Sequence, residues 1–243
     1  MAPQSQLVLH PLDHYTFLPT AEALVEGADG NNNDNDKNKN DDGGGGGESA
    51  KREVKKRNRT AEEEESMLRE RYASEGQQRH ATALLLVHRH GYPHVLLRKD
   101  GEAWRMVGGR LRAGESDDEG LRRILDKKVA ATQADSLRPV NWQIGELAAQ
   151  WWRPDFSPCV YPYVPAHIAN AKESIKMFVV QLPAKCVLRM KPRSPIHAVP
   201  LFEIYDNAEN FGPIISSIPH LLSRYAITCR EGDNNGAADA AET

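Results

Sequence analysis

Apolar side chains along the chain are grouped in short runs that predict β-strands. The runs ATALLLVHRH (81–90) and HVLLRK (94–99) flank the turn signal GYP and predict two strands joined by that turn. WRMVGG (104–109) predicts a third short strand that ends in glycines. Later strands are predicted at 140–152 and at IKMFVVQL (175–182).

Helical periodicity is clearest after the third strand. Ser116 and Glu119 have the spacing of a capping box, which predicts that a helix starts at Ser116. The apolar positions of this helix recur every three or four residues and are Leu121, Ile124, Leu125 and Val129. TAEEEESMLRERY (60–72) predicts a second helix, with its first residue, a threonine, as N-cap. PIISSIPHLLSRYA (213–226) predicts a C-terminal helix, in which Pro219 marks a start or a kink.

Composition divides the chain into four parts. Residues 1–26 contain strand-like fragments and are predicted to pack on the core, which is the α/β domain of 59–228. Residues 27–58 are predicted to be a disordered insertion, because they have almost no apolar side chains to bury. The basic stretch KREVKKRNR (51–59) fits a nuclear-import signal or a nucleic-acid contact as well as a solvated linker. Residues 229–243 are predicted to be a disordered tail.

Charge and cysteine usage narrow the class of protein. The formal net charge is −3, so any basic surface for nucleic acid must be local. Cys159, Cys186 and Cys229 are scattered without a CxxC pair, which argues against a zinc site or a disulfide framework and favours a reducing compartment. No apolar run has the length of a membrane span, and the N-terminus lacks a signal-peptide core. We therefore expect an intracellular α/β domain, without a metal or other cofactor.

The segment GGRLRAGESDDEGLRRILDKKVAA (108–131) resembles the Nudix box of nucleoside-diphosphate-X hydrolases. That box joins a glycine and a glutamate to a helix of the pattern Arg-Glu-apolar-any-Glu-Glu-any-Gly. Gly109 and Glu115 set the register, which places Arg123 on the arginine and Leu125 on the apolar position. The other helix positions depart from the pattern: three glutamates are replaced by Ile124, Lys127 and Lys128, and the final glycine by Ala130.

These replacements predict that the fold is kept and that hydrolysis is lost. Magnesium on a pyrophosphate takes hard oxygen ligands, which glutamates one turn apart on a helix can share. Here that helix face carries Ile124 and Lys128, and an ammonium group repels the cation. Asp126 points to another side of the helix, because successive residues are about 100° apart, and Glu115 alone cannot build the site. An active hydrolase is the alternative, if Glu119 or Asp126 converges on Glu115.

Three further segments carry a more specific resemblance. QWWRPDFSPCVYPYVPAHI (150–168), PLFEIYDNAENFGPIISSIPHLLSRY (200–225) and LVHRHGYPHVLL (86–97) are similar to the small Nudix-fold subunit of pre-mRNA cleavage factor I. This family is called cleavage factor Im in mammals and includes subunit 5 of the cleavage and polyadenylation specificity factor. The resemblance implies an α/β protein with the Nudix fold, a mixed β-sheet sandwiched between helices. It also implies a nuclear homodimer without hydrolase activity that binds single-stranded UGUA elements in pre-mRNA. A larger subunit would be recruited through its own RNA-recognition domain.

The same resemblance points to residues that contact RNA, which proteins read by stacking on unpaired bases and hydrogen bonding to their edges. Trp104 lies where the family has two adjacent phenylalanines, one of which stacks on a base. The residue at the other phenylalanine position is Ala103 or Arg105. Arg105 is expected to stack or to contact phosphate, and the backbone around Met106 to meet bases. The predicted RNA-binding residues are Trp104, Arg105, Met106, Tyr161, Tyr163, Phe211 and Thr82.

Some of these positions depart from the family. Phe211 stands in place of a tyrosine, so it can stack but cannot donate a hydroxyl hydrogen bond. Thr82 replaces a glutamate that hydrogen-bonds a uracil, which a threonine hydroxyl can also do. In the family, the helix before the core carries an arginine that contacts the RNA. The aligned position here falls in EEEE (62–65), which repels phosphates, unless a shift in register brings in Arg59 or Arg69.

Several of the aromatic residues also have a purely structural interpretation. Trp104 beside a tight turn can cap the core, and alternation across the prolines would turn one of Tyr161 and Tyr163 inward. Trp151 and Trp152 are interpreted as anchors of the core or of a dimer interface. His88, His90 and His94 are interpreted as strand histidines with satisfied hydrogen bonds rather than as metal ligands. A dimeric scaffold that docks a partner without binding RNA is therefore a second alternative.

Overall fold

The computed structural model describes residues 6–19, 61–191 and 193–230. In chain order, the strands are β1 (Gln6–Leu9), β2 (Tyr15–Pro19), β3 (Gln78–Arg89), β4 (Tyr92–Asp100), β5 (Ala103–Arg110), β6 (Thr132–Gln133), β7 (Gln143–Arg153), β8 (Glu173–Gln181), β9 (Cys186–Met190), β10 (Ile196–Pro200) and β11 (Ala226–Cys229). The helices are α1 (Ala61–Glu75), α2 (Asp117–Lys128), α3 (Leu201–Ile204), α4 (Ala208–Ser216) and α5 (Ile218–Leu222), with a 3-10 turn at Leu12–His14.

Six strands form the central sheet in the order β10-β4-β5-β3-β8-β7. The sheet is mixed, because β3 and β8 are parallel whereas the other neighbours are antiparallel. β3 pairs with β5 through its first half and with β4 through its second half, so the three strands splay apart near their middles. Two smaller sheets, β1-β11 and β2-β9-β6, attach residues 6–19 to the domain.

The central sheet has two buried faces, because successive side chains along a strand point to opposite sides. Leu85 and Val107 belong to the hydrophobic cluster that includes α2, and we call this side the α2 face. Leu84 and Met106 belong to the cluster that includes α4 and α5, and we call this side the α4 face. The prediction of a mixed sheet sandwiched between helices is therefore confirmed.

Helix α2 has the start and the buried stripe that its sequence predicts. The Ser116 hydroxyl accepts a hydrogen bond from the backbone N–H of Glu119 at 3.2 Å. The apolar stripe is at most 4% exposed and consists of Leu121, Ile124, Leu125 and Val129. Just past the helix, Ala130 has a φ of 44°, the left-handed conformation that favours glycine. This is the position at which the Nudix pattern has its final glycine.

The C-terminal region corrects the prediction of one helix over 213–226. Its predicted start at Pro213 is confirmed, because Gly212 has a φ of 79° and interrupts the helix just before it. A second break at Ser217 separates α4 from α5, and Pro219 lies in the first turn of α5. The chain then forms β11, which includes Cys229, a residue that the sequence assigned to the tail.

Helix α1 has few apolar side chains, the half-buried Met67, Leu68 and Tyr72 among them, and ring contacts at its C-terminal half hold it on the domain. The rings of Tyr72 and Phe156 are 5.9 Å apart, and the Lys172 ammonium lies 4.1 Å from the centre of the Tyr72 ring. The predicted disorder of 27–58, the N-cap at Thr60 and the tail after residue 230 lie outside the described residues. Across the described ranges, no helix is both long and apolar enough to span a membrane.

Candidate nucleic-acid interface

Trp104 lies on β5 with its side chain on the α4 face, at the end of the sheet where β4 and β5 form a hairpin. Its ring centre is 5.5 Å from that of Phe211 and 5.6 Å from that of His197, which meets it edge-on. The ammonium of Lys99, directly opposite on β4, is 5.3 Å from the Trp104 ring centre. Trp104 is half-buried, so part of its ring is open to solvent. The rings of Trp104 and His197, with the Lys99 ammonium, thus form one surface that a base can stack on.

Phe211 supports this surface from below. It is on α4 and only 6% exposed, so little of its ring is open to a base. The predicted stacking residue Phe211 therefore acts here by holding the Trp104 ring, with which its own ring makes a 31° angle. The open aromatic surface belongs to Trp104 and to the exposed His197.

Arg105 and Met106 do not join Trp104 in one open site. Arg105 follows Trp104 on the same strand and points to the α2 face, where its Nε is 3.7 Å from an oxygen of Asp100. Met106 is on the α4 face but is 9% exposed, in the core beneath the helices. The structure therefore separates Trp104 from Arg105, which the sequence treated as neighbouring contacts.

Thr82 lies on the α4 face in the half of β3 that pairs with β5. Its hydroxyl donates a hydrogen bond to the Lys176 carbonyl at 3.1 Å, so it can only accept from a base. Its methyl group lies against Gly108, where an added Cβ would be 2.6 Å from it and from the backbone of Thr82. A glycine is needed here because the two strands approach closely.

Tyr161 and Tyr163 form a separate aromatic pair. They are 36% and 57% exposed, and their ring centres are 5.7 Å apart, so neither is turned into the core. Tyr161 pairs with Trp152 through two backbone hydrogen bonds, which places it beyond the outer edge of β7. Among the described residues, the ring contacts of this pair do not reach Trp104. The predicted RNA-binding residues therefore do not form one site: Tyr161 and Tyr163 lie apart from Trp104, and Arg105 lies on the opposite face of the sheet.

The other aromatic and basic candidates take mostly structural places. Trp151 is 6% exposed in the cluster on the α4 face, whereas Trp152 is half-buried. Arg69 hydrogen-bonds Glu65 on its own helix and lies over the Phe156 ring. The prediction of satisfied strand histidines is wrong for two of the three: buried His88 bonds the Arg230 carbonyl through Nε2 at 2.7 Å but leaves Nδ1 without a partner in the described residues, and His90 lies in the turn after β3. In the described part of the chain, no three His, Cys, Asp or Glu side chains cluster as metal ligands would.

The remaining glutamate of the Nudix box is fully engaged within the protein. Both Glu115 oxygens accept hydrogen bonds from Arg123, at 2.6 and 2.7 Å, and one also accepts from the Arg112 backbone at 2.8 Å. These hydrogen bonds, that from Arg123 above all, lower the pKa of Glu115 to about 2. The carboxylate is thus neutralised by an arginine rather than free for a cation.

The replaced glutamate positions of α2 hold an apolar side chain and two lysines. Ile124 is 4% exposed in the core, and Lys127 is exposed. The Lys128 ammonium donates a hydrogen bond to the Gly108 carbonyl, and an added Cβ on Gly109 would lie 3.4 Å from it. Burial, and secondarily the charge of Arg98, lowers the pKa of Lys128 to about 8. A fixed cation therefore lies against the strand that precedes the box.

The carboxylates that a relocated metal site would need are bound elsewhere. Asp126 accepts a hydrogen bond from the Trp142 indole at 2.8 Å. Glu119 accepts one from the Ser116 hydroxyl at 3.0 Å, in the first turn of α2. Neither makes the convergence on Glu115 that the hydrolase alternative requires.

Two residues of the Trp104 surface were not among the sequence candidates. Lys99 is opposite Trp104 because the tight turn after Asp100 sets the register of β4 and β5, and Asp-Gly is a turn signal in the sequence. His197 reaches Trp104 because β10 pairs with the other edge of β4. No local pattern indicates that pairing.

Comparison of the sequence with known proteins shows which protein family the chain belongs to. The sequence profile of NUDIX_2, described as nucleotide hydrolase, matches residues 48–225, which is most of the chain. The matched profile and the mixed sheet between helices define a Nudix-fold protein. Among individual relatives, the chain is 41% identical to cleavage and polyadenylation specificity factor subunit 5 of Dictyostelium discoideum, over 65% of this chain and 78% of that protein.

Two plant proteins agree with this relationship. The chain is 41% identical to pre-mRNA cleavage factor Im 25 kDa subunit 2 of Arabidopsis thaliana, over 63% of this chain and 76% of that protein. It is 37% identical to subunit 1 of the same organism, over 68% of this chain and 73% of that protein. The chain belongs to the NUDIX_2 family and, within it, to the family of cleavage factor Im 25 kDa subunits. The family predicted from the three long sequence segments is confirmed.

Proposed function

We propose that this protein is an RNA-binding, non-hydrolytic subunit of a nuclear pre-mRNA cleavage and polyadenylation factor. It binds single-stranded UGUA-type elements on the surface around Trp104. The names of its relatives support the place in 3′-end processing. Base binding is proposed from the chemistry of the surface itself.

The observation that carries the RNA proposal is the half-open Trp104 ring with a lysine beside it. Stacking on an aromatic side chain binds any unpaired base, and a nearby cation adds attraction to the phosphates. Thr82 lies on the same face and is half-buried, and its hydroxyl can still accept a hydrogen bond. That hydroxyl supplies an acceptor for the hydrogen bonding that base selection needs.

The absence of hydrolysis is proposed from the contacts of the Nudix box. The Glu115 carboxylate is paired with Arg123, and the Lys128 ammonium is bound to the Gly108 carbonyl. A divalent cation here would meet a fixed positive charge and a carboxylate that is already neutralised. The description of the matched family as nucleotide hydrolase makes hydrolysis the competing candidate. Phosphate release from nucleoside-diphosphate derivatives, with magnesium or manganese, tests it, and turnover above the no-enzyme rate would refute this part of the proposal.

We also propose a homodimer that recruits a larger subunit carrying an RNA-recognition domain. Exposed apolar side chains at Tyr161, Tyr163 and Val164 give the molecule a surface that another chain can cover. Two RNA sites in one dimer would raise the avidity for transcripts with two elements.

Fluorescence anisotropy tests the RNA proposal. Purified protein is titrated against a short UGUA-containing RNA and a scrambled RNA of the same composition, at near-physiological salt. Tighter binding of the UGUA RNA supports base readout. Equal and strongly salt-dependent binding would mean backbone contact alone, and no binding to either RNA would favour the scaffold alternative.

A further inference from the structure

We infer that the Trp104 surface binds two successive nucleotides, with His197 stacking on the second base and Lys99 contacting the phosphate between them. This inference rests on the proposed RNA-binding function and extends the site to two residues that the family resemblance does not mark. The four side chains Lys99, Trp104, His197 and Phe211 are called the stacking surface below.

The strand register places all three inferred contacts on one side of the sheet. Leu97 lies between His197 on β10 and Met106 on β5, and belongs to the cluster on the α4 face. Lys99 is two residues further along β4 and Trp104 two residues before Met106, so both share that face. His197 is opposite Leu97 and shares it too. The register therefore places the three side chains on one face, and the ring distances of 5.6 Å from His197 and 5.3 Å from Lys99 bring them together around Trp104.

The arrangement of the rings favours two bases rather than one. His197 meets Trp104 edge-on at an angle of 83°, so the two rings present differently oriented flat surfaces. His197 is exposed, whereas Phe211 is buried and holds Trp104 in place. A base on Trp104 would leave the His197 ring free for its neighbour, because one base cannot lie flat on two rings that are nearly perpendicular.

Lys99 is suited to the phosphate that joins these two nucleotides. Its ammonium lies 5.3 Å from the Trp104 ring centre, at the rim of the stacking surface rather than in an ion pair. The nearest acidic residue on the strand, Asp100, points to the other face, where Arg98 and Ser194 bind it. A base that stacks on Trp104 would displace the ammonium from the ring and bring it towards the backbone of the RNA.

Two substitutions with matched controls test the inference on the full-length protein. His197→Val keeps a good strand former at an exposed position, and its control is His94→Val, a histidine of β4 on the α2 face. Lys99→Gln removes one cation, and its control is Lys185→Gln, an exposed lysine in the loop before β9. Urea unfolding of each variant confirms that it is folded before RNA binding is measured.

His197→Val is expected to weaken binding roughly fivefold or more, the low end for loss of one base stack. Lys99→Gln is expected to reduce the slope of log affinity against log salt by about 1, which corresponds to the loss of one phosphate contact. RNAs with a single abasic nucleotide separate the two roles. One nucleotide adjacent to the one that stacks on Trp104 should place its base on His197. When that nucleotide is abasic, His197→Val should no longer weaken binding, whereas the effect of Lys99→Gln should be unchanged.

The outcomes distinguish this inference from the function it rests on. If Trp104→Ala weakens RNA binding but His197→Val and Lys99→Gln bind like the wild type, the two-nucleotide site is refuted and the RNA-binding proposal stands. If the effect of His197→Val persists with every abasic RNA, the histidine only supports the Trp104 ring and the second stack is refuted. If the wild type binds no RNA, both proposals fail.

Discussion

The half-buried amine of Lys128 makes a pH-dependent prediction about stability. In the folded protein its pKa is lowered to about 8 from an ordinary value of 10.5, chiefly because burial disfavours the charged form. Between these two values the unfolded chain holds more protons than the folded protein, so this residue makes stability rise with pH. Below about pH 8 both states are protonated and the cost of burying the charge is constant.

The size of the effect follows from the pKa difference. At 1.36 kcal/mol for each pKa unit, a drop from 10.5 to about 8 corresponds to at most about 3 kcal/mol. The side chain is partly exposed, so solvent screening reduces this to roughly 1–2 kcal/mol. The hydrogen bond to the Gly108 carbonyl contributes about 1 kcal/mol in the opposite direction at pH 7. We therefore expect Lys128→Met to be nearly neutral, or stabilising by up to about 1 kcal/mol, at that pH.

Urea unfolding of the wild type and Lys128→Met between about pH 7 and pH 10.5 measures this contribution. The wild type should gain roughly 1–2 kcal/mol relative to the variant over this range. Other groups cancel in the difference: burial raises the pKa of Cys186 to about 12 and also raises that of Tyr15, so both proteins lose stability at alkaline pH. Lys127→Met, at the exposed neighbouring lysine, is the control and should show no such gain. If the free energy of unfolding of the wild type, relative to that of Lys128→Met, stays constant or falls as the pH rises, the buried-cation account of the Nudix box is refuted.

Three further predictions concern the backbone around this box and are read from urea unfolding at neutral pH. Ala130→Gly should raise the free energy of unfolding by about 0.5–1 kcal/mol, because Ala130 has a φ of 44°; a loss of stability would contradict the left-handed conformation. Gly108→Ala should lower it by about 2–3 kcal/mol, since the added Cβ would lie 2.6 Å from the Ala81 carbonyl oxygen, and a neutral result would show that β3 and β5 are further apart. Ser116→Ala should lower it by about 1 kcal/mol through loss of the N-cap, whereas Ser116→Asp should retain most of the stability.

The fold could be predicted from the sequence where local patterns decide the structure. The helix after Ser116 and the hairpin at GYP follow from capping and turn chemistry, and the hairpin closes with positive φ at both His90 and Gly91. The helix predicted over 213–226 starts at Pro213 as expected, but it is divided at Ser217, ends at Leu222 and is followed by β11, whose pairing with β1 is a long-range contact that no local pattern signals. The short strands β9 and β10 depend on pairing with distant strands, and the five residues of each are too few for a strong local signal.

The candidate site could be predicted only in part. Trp104 was found through the family resemblance, and alternation along WRMVGG would also have placed Arg105 on the other face. The roles of Phe211 and His197 depend on α4 and β10 lying beside β5 and β4, which are long-range contacts. Burial of Phe211 and the separation of Tyr161 from Trp104 therefore required the three-dimensional structure.

The measurement that tests the central claim most directly is the affinity of Trp104→Ala for the UGUA RNA. Tyr92→Ala is the control, because Tyr92 is a 64% exposed aromatic residue on the neighbouring strand and faces away from the stacking surface. Loss of one base stack costs about 1–3 kcal/mol, so the Kd of Trp104→Ala should rise at least roughly fivefold while Tyr92→Ala binds like the wild type. Equal affinity of Trp104→Ala and the wild type, with both proteins folded, would contradict the assignment of RNA binding to this surface.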